Sequence, residues 1–207
     1  MGYTVYIKII SGKDFDSMTN AIIENIKARR SIRGYTDELP TQEMVDTLIE
    51  CAFTAPNGLG KQGWHFTICY DRALMDEITE GNKQLMLSSG KPDQIEKASA
   101  PDFDNFRGAP MAILVSADTA APFCEADCAN ATTIMALAAQ SMGLGTCYLA
   151  GFKRFLLTPE GADCLKRLEL PEGVKPLFAL AVGYPAKAPK ERHAPKENAV
   201  NVIGTRG

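Results

Sequence analysis

Four short apolar runs, interleaved with amphipathic helical segments, predict a domain of mixed helix and strand. Three observations carry this reading. Apolar residues recur at helical spacing in several stretches, β-branched and aromatic residues gather in short runs, and glycine or proline marks most of the junctions. At 207 residues and 45% hydrophobic, the chain can bury one sizeable core without metal or disulfide staples. Residues 1–207 therefore read as one domain, with arms at 1–15 and 186–207.

Tyr3 to Ile10 alternates loosely and reads as a short strand or an ordered arm. From Asp16 the pattern turns helical, with Met18, Ile22, Ile23 and Ile26 on one face. That helix runs into Arg29-Arg30-Ser31-Ile32-Arg33 and stops at Gly34. Thr41 caps a second helix whose apolar stripe is Met44, Val45, Leu48, Ile49, Ala52 and Phe53. A glycine-rich loop over 55–63 leads into a strand from Trp64 to Tyr70.

Asp71 to Leu87 is helical, and the polar, proline-broken stretch from Ser88 to Gly108 reads as a surface excursion or lid. Pro110 to Ala117 fits a buried strand. Glu125 to Met142 is apolar nearly all round and reads as a central buried helix, with Gly143 at its C′ position. Leu144 to Phe152 forms a strand and glycine turn, and Thr158-Pro159 opens a short helix ending near Leu170. Lys175 to Tyr184 is the last core strand. The charged, proline-rich tail after Pro185 has no core of its own.

A net charge of -3 gives no broad basic surface for nucleic acid, and no run of about 18 apolar residues predicts a membrane span. With no signal-peptide pattern either, the expected location is the cytoplasm. Most of the six cysteines read as small buried hydrophobes with reduced thiols. Cys124 and Cys128 stand at i and i+4, but with only His65 and His193 and no CxxC pair they make a poor zinc site.

Four stretches carry chemistry. Arg29-Arg30-Ser31-Ile32-Arg33 holds three guanidinium groups and a hydroxyl suited to an anion, although a solvated basic helix end explains it equally well. In Ala55-Pro56-Asn57-Gly58-Leu59-Gly60-Lys61-Gln62-Gly63-Trp64-His65-Phe66, the glycines allow close backbone approach, and Asn57 and Gln62 offer amides to a polar ring. It matches neither GxxxxGK[ST] nor GxGxxG, and an ordinary connecting loop is the plainer alternative. The run from Gly143 to Phe152 suits a backbone passing a flat ring, or simply a helix cap and strand. Lys190-Glu191-Arg192 alone would be a charged tail.

Together these stretches, with Ala181-Val182-Gly183-Tyr184-Pro185, resemble the nitroreductase family in order and approximate separation, from about Asn20 to Arg192. The resemblance implies an α+β fold, a small mixed or antiparallel sheet surrounded by helices, built as an intertwined homodimer with exchange of the C-terminal arm. It implies FMN as cofactor, NADH or NADPH as donor, and ping-pong hydride transfer to a nitroaromatic, quinone or similar small oxidised acceptor.

By position, Arg29, Arg30, Ser31 and Arg33 match residues that hold the FMN phosphate, ribityl chain and pyrimidine edge, and Lys190 and Arg192 join them at the phosphate. Pro56, Asn57 and Gly58 match a loop that reaches the flavin of the other subunit, and Gln62 a side chain near the flavin. Leu149, Ala150 and Gly151 match the turn whose backbone amide faces flavin N5. No side-chain acid or nucleophile is implied. Gly60 stands where many members have asparagine, Gly63 where proline is common, and Ala150 where some carry glutamate. Relatives of this fold also perform dehalogenation and dehydrogenation, and a flavin store or sensor without turnover is the alternative of a different class.

Overall fold

The structure, a computed structural model, describes residues 19–187, 189, 191–192 and 194–204. The reading of Tyr3 to Ile10 as a strand or arm, and the positions Met18, Lys190 and His193, lie outside the described residues. Helix α1 (Ala21–Ala28) starts where the Asn20 side chain accepts from the Ile23 N–H at 3.0 Å. It ends at Ala28, before the arginine motif. The expected continuation to Gly34 fails because the Ile32 N–H donates to the Thr146 carbonyl at 2.8 Å and the Ile32 side chain is buried. Long-range pairing has overridden local helix preference.

Helix α2 (Gln42–Phe53) is capped by Thr41 as expected and buries Val45, Leu48 and Ala52. Phe53, at the end of the predicted stripe, instead stands half exposed, edge-on to Phe66. Strand β1 (Trp64–Cys69) leads to helix α3 (Arg72–Leu87), capped by Asp71. The Ser88–Gly108 stretch is less open than its composition suggests. It contains helix α4 (Pro92–Ala98), and Ala98 and Phe106 are fully buried. Asp104 pins it to α3, accepting from the Arg72 guanidinium and the Thr79 hydroxyl.

Strand β2 (Met111–Asp118), helix α5 (Cys124–Ser141) and strand β3 (Gly145–Leu149) follow. Short helices α6 (Lys153–Leu156) and α7 (Ala162–Lys166) precede strand β4 (Val174–Gly183). The four strands pair antiparallel in the order β1-β2-β4-β3. One face, through Met111, Ile113 and Val115, meets α2 and α5; the other, through Ala112 and Leu114, meets α3, α6 and α7. That sandwich explains why β2 reads as a continuous apolar run: its first seven residues are all buried.

Gly81 sits in the interior of α3 at a cost of about 1 kcal/mol against alanine. The reason is space, since a Cβ there would lie 2.3 Å from the Phe155 ring. Beside it Asn82 donates to the Phe152 carbonyl at 2.6 Å and accepts from the Phe155 N–H at 3.0 Å, fixing α6 against α3. Among the described residues, no helix is long and apolar enough to cross a membrane.

Candidate functional site

The arginine motif leaves α1 as extended backbone and becomes an edge of the sheet. Ser31 forms a parallel bridge with Thr146 on β3, and Tyr35 an antiparallel one with Pro185 just beyond β4. This pairing joins the first and third motifs, because β3 runs directly into Leu149-Ala150-Gly151. Leu149 is buried and anchors the turn, whereas Ala150 and Gly151 are exposed.

The three arginines of the motif have different surroundings. Arg30 turns back on the end of α1, donating to the carbonyls of Lys27 at 2.7 Å and Arg29 at 2.9 Å. Arg192 arrives from the C-terminal arm at the same place, donating to Lys27 at 3.0 Å and Arg29 at 3.3 Å. Both satisfy helix-end carbonyls, where a cation also meets the negative pole of the helix. Arg192, far away in sequence, is thus a neighbour of the arginine motif in space.

Arg29 and Arg33 act on a different locus. Burial pushes the Cys147 thiol up, and the charges of Arg33, Arg107 and Arg29 pull against it. The Tyr35 phenol is driven far up by burial and then by Cys147, opposed by Arg33 and Arg107. Arg107 therefore belongs to this positive group, a member that sequence reading missed. It lies at the end of the Ser88–Gly108 excursion with φ 61°, followed by Gly108 at 73°, in a turn closed by Asp104 accepting from the Phe106 and Gly108 N–H groups. Nothing in the polar run around it distinguishes it from a surface charge.

Two observations show what such a locus suits. Among the described residues, Arg29, Arg33, Arg107 and Arg192 have no carboxylate within salt-bridge distance; the ion pairs use Arg72, Lys166 and Arg167. The Arg107 Nε is buried without a partner. Concentrated guanidinium charge of this kind fits a phosphate. A Cβ at Gly151, meanwhile, would meet nothing within 4 Å, and its φ is not left-handed. Neither packing nor backbone requires glycine there, and the space in front of the turn is open.

The second motif is held elsewhere. Loop 55–63 contains a single 3-10 turn, Gly58–Gly60, with Leu59 at φ 58° and Gln62 at 48°. Left-handed backbone at such residues costs about 1–3 kcal/mol each. Asn57 accepts from the Gln62 N–H at 3.0 Å; the Gln62 side chain is exposed. Gly58 presses so close to Phe123 that a Cβ would lie 2.5 Å from the ring. The Pro56 carbonyl accepts from Asn130, and the Gly58 N–H donates to Asp127, both in the first turns of α5. Ser31 and Thr146 pair near the start of β3, which follows the other end of α5 in the chain and packs against that helix. Among the described residues, the side-chain hydrogen bonds of the loop go to itself and to α5, and none joins it to the arginines.

Four of the six cysteines lie in the core, and Cys51 and Cys124 are partly exposed. Cys69, Cys128, Cys147 and Cys164 are buried, and burial pushes the Cys128 thiol up to about 12 while its Sγ lies 3.7 Å from the Ser116 carbonyl.

The model of the nitroreductase family matches residues 26–184. An FMN reductase (NADPH) of Bacillus subtilis is 30% identical over 201 residues, covering 88% of this chain and 76% of that protein. A nitroreductase of Bacteroides fragilis, crystallised with bound FMN, superposes with a TM-score of 0.81 at 28% identity, over 90% of this chain and 100% of the other. A second, from Desulfitobacterium hafniense and also with bound FMN, gives 0.80 at 25% identity over 90% and 100%. With a family match across most of its length and the fold in agreement, the chain belongs to the nitroreductase family.

Proposed function

We propose that the protein is an FMN-dependent NAD(P)H oxidoreductase acting on a small oxidised acceptor such as a nitroaromatic or quinone, and that it works as a homodimer. The carrying observation is the set of unpaired guanidiniums at Arg29, Arg33 and Arg107, joined through Ser31 and Thr146 to the open turn at Ala150-Gly151. FMN, when bound, would supply the redox chemistry between the nicotinamide donor and the acceptor. The chain supplies charge and position.

Arg29, Ser31 and Arg107 would hold the phosphate and ribityl side, and Arg192, which like Arg30 caps the end of α1, would add positive charge from the arm together with Lys190. Arg33 faces the pyrimidine edge, where positive charge stabilises electrons gained by the ring. Buried Leu149 would anchor the turn whose Ala150 or Gly151 N–H would serve the reacting nitrogen of the flavin. Arg30 caps α1 and acts on the site only through that helix end. The part of the Ser88–Gly108 segment before Arg107 would cover the acceptor side.

The single chain also supports the dimer. Ile22 is 71% exposed and Ile26 48%, and α1 buries none of its residues. A helix of eight residues does not stand alone in water. Pairing two copies antiparallel along α5 would set the Pro56-Asn57-Gly58-Gln62 loop of one beside the arginines of the other, with the arms through Val200–Ile203 exchanged across the interface. One domain spanning 1–207 and a cytoplasmic location complete the reading.

The test is the visible spectrum of purified protein, reconstituted with FMN, before and after anaerobic NADH or NADPH. A flavin band that bleaches is expected. A band that stays oxidised with both donors would favour a store or sensor, and no binding at all would overturn the proposal. Arg29→Ala and Arg33→Ala should each weaken FMN binding about tenfold or more, as loss of a charge-assisted bond does. Arg30→Ala should leave affinity within a few fold and lower stability by about 0.5–1 kcal/mol.

A further inference from the structure

We infer that Asp127 is a positioning residue, whose buried carboxylate holds loop 55–63 in the shape that meets the cofactor. The inference rests on the FMN reading above and adds a residue to it.

Asp127 is 4% exposed, and among the described residues no cation pairs with it. A buried, unpaired carboxylate is costly, so its hydrogen bonds must offset that cost. Its Oδ1 accepts from the Gly58 N–H at 2.9 Å, and its place in the first turn of α5 puts it near the positive pole of that helix. One turn along, Asn130 donates to the Pro56 carbonyl at 2.9 Å. These two side chains therefore grip the backbone on either side of Asn57. Asn57 in turn accepts from the Gln62 N–H and donates to the Ala55 carbonyl. Asp127 is thus the root of a chain of bonds that ends at Gln62.

Apolar packing does only part of this work: Phe123 covers Gly58, but an open cavity of about 240 Å³ lies beside the loop, lined by Pro56, Asn57, Phe123, Asp127 and Asn130. Leu59 and Gln62 are held in left-handed backbone that relaxes unless something opposes it. The polar grip opposes it, and it keeps Asn57 in place before any cofactor arrives.

Asp127→Ala and Asp127→Asn separate this role from simple structural damage. A carboxamide still offers an oxygen to the Gly58 N–H, while alanine does not. Two readouts are needed: FMN affinity by flavin fluorescence, and, in the apoprotein, the emission of Trp64, the sole tryptophan, which follows the loop directly. Asp127→Ala should lose about tenfold or more in affinity and shift Trp64 emission to the red, with far-UV circular dichroism unchanged. Asp127→Asn should stay within about threefold. Should Asp127→Ala fail to fold, Asn130→Ala must show the same two changes at smaller size.

Wild-type affinity and emission in Asp127→Ala would overturn the inference, as would an Asp127→Asn as defective as the alanine variant. If the wild-type protein itself bound no FMN, the proposed function would fall, while Trp64 emission would still decide the role of Asp127.

Discussion

Asn82→Ala should be among the most damaging single changes outside the arginine cluster. The side chain is 1% exposed and bonds three backbone groups: the carbonyls of Ile78 and Phe152 and the N–H of Phe155. The Ile78 carbonyl lies inside α3 and keeps a helical partner, so two groups are orphaned. Leaving a buried polar group unmade costs about 1–3 kcal/mol. Alanine returns roughly 0.5 kcal/mol of helix propensity. The net expectation is a loss of about 2–5 kcal/mol, or roughly 5–15 °C in Tm at this chain length.

Urea titration and thermal melting of the apoprotein, both by far-UV circular dichroism, measure it. Because Phe152 directly follows Gly151, FMN affinity should fall as well. A loss below about 1 kcal/mol would refute the accounting, since it would mean that water or a backbone shift satisfies Phe152 and Phe155 without Asn82.

Gly151→Ala should behave in the opposite way. It meets no atom within 4 Å, so stability should stay within about 0.5 kcal/mol of wild type while FMN affinity drops, read by melting and by flavin fluorescence on the same sample. Acid should act on the Arg107 turn through Asp104. Burial alone would raise that carboxyl, but the Phe106 and Gly108 amides and the Arg72 guanidinium outweigh it and hold it below the usual range. Its contribution is therefore complete above the unfolded value of about 3.9 and disappears as pH falls through the lower folded value. Asp104→Asn should be clearly less stable than wild type at pH 7, and the gap should narrow below about pH 4 in urea titrations.

Much of the fold was legible because local signals and tertiary packing agree. The Thr41 and Thr158 caps act as their positions suggest, accepting from Met44 and Gly161. The unbroken apolar run of β2 marks a strand covered on both faces. Where the two levels disagree, the reading failed. Arg29 to Arg33 has helical propensity, but the Thr146 carbonyl and a buried Ile32 draw it out of the helix. Phe53 continues a helical stripe yet lies past the edge of the core.

The site was legible only in part for a related reason. Arg29, Ser31 and Gly151 stand in runs with a pattern, whereas Arg107, Asp127 and Asn82 are single polar residues whose roles depend on partners remote in sequence. Asp127 in an alanine-rich helix and Asn82 after Gly81 look like solvated positions until the burial is known. The Ser88–Gly108 stretch misled through composition, since its anchors, Ala98 and Phe106, are two residues among many polar ones.

The strand order has a consequence for how the chain is made. The final strand, β4, sits inside the sheet between β2 and β3. Until Gly183 has emerged from the ribosome, β2 carries an unpaired, mostly apolar edge, and β3 has only the bridge from Ser31 to Thr146. At about 5–20 residues per second, synthesis from Thr119 to the end of β4 takes several seconds. Throughout that interval the nascent polypeptide presents a sticky strand that other nascent copies can pair with. Folding is therefore delayed to the end of translation, and truncation anywhere before β4 should yield insoluble chains rather than a smaller folded protein.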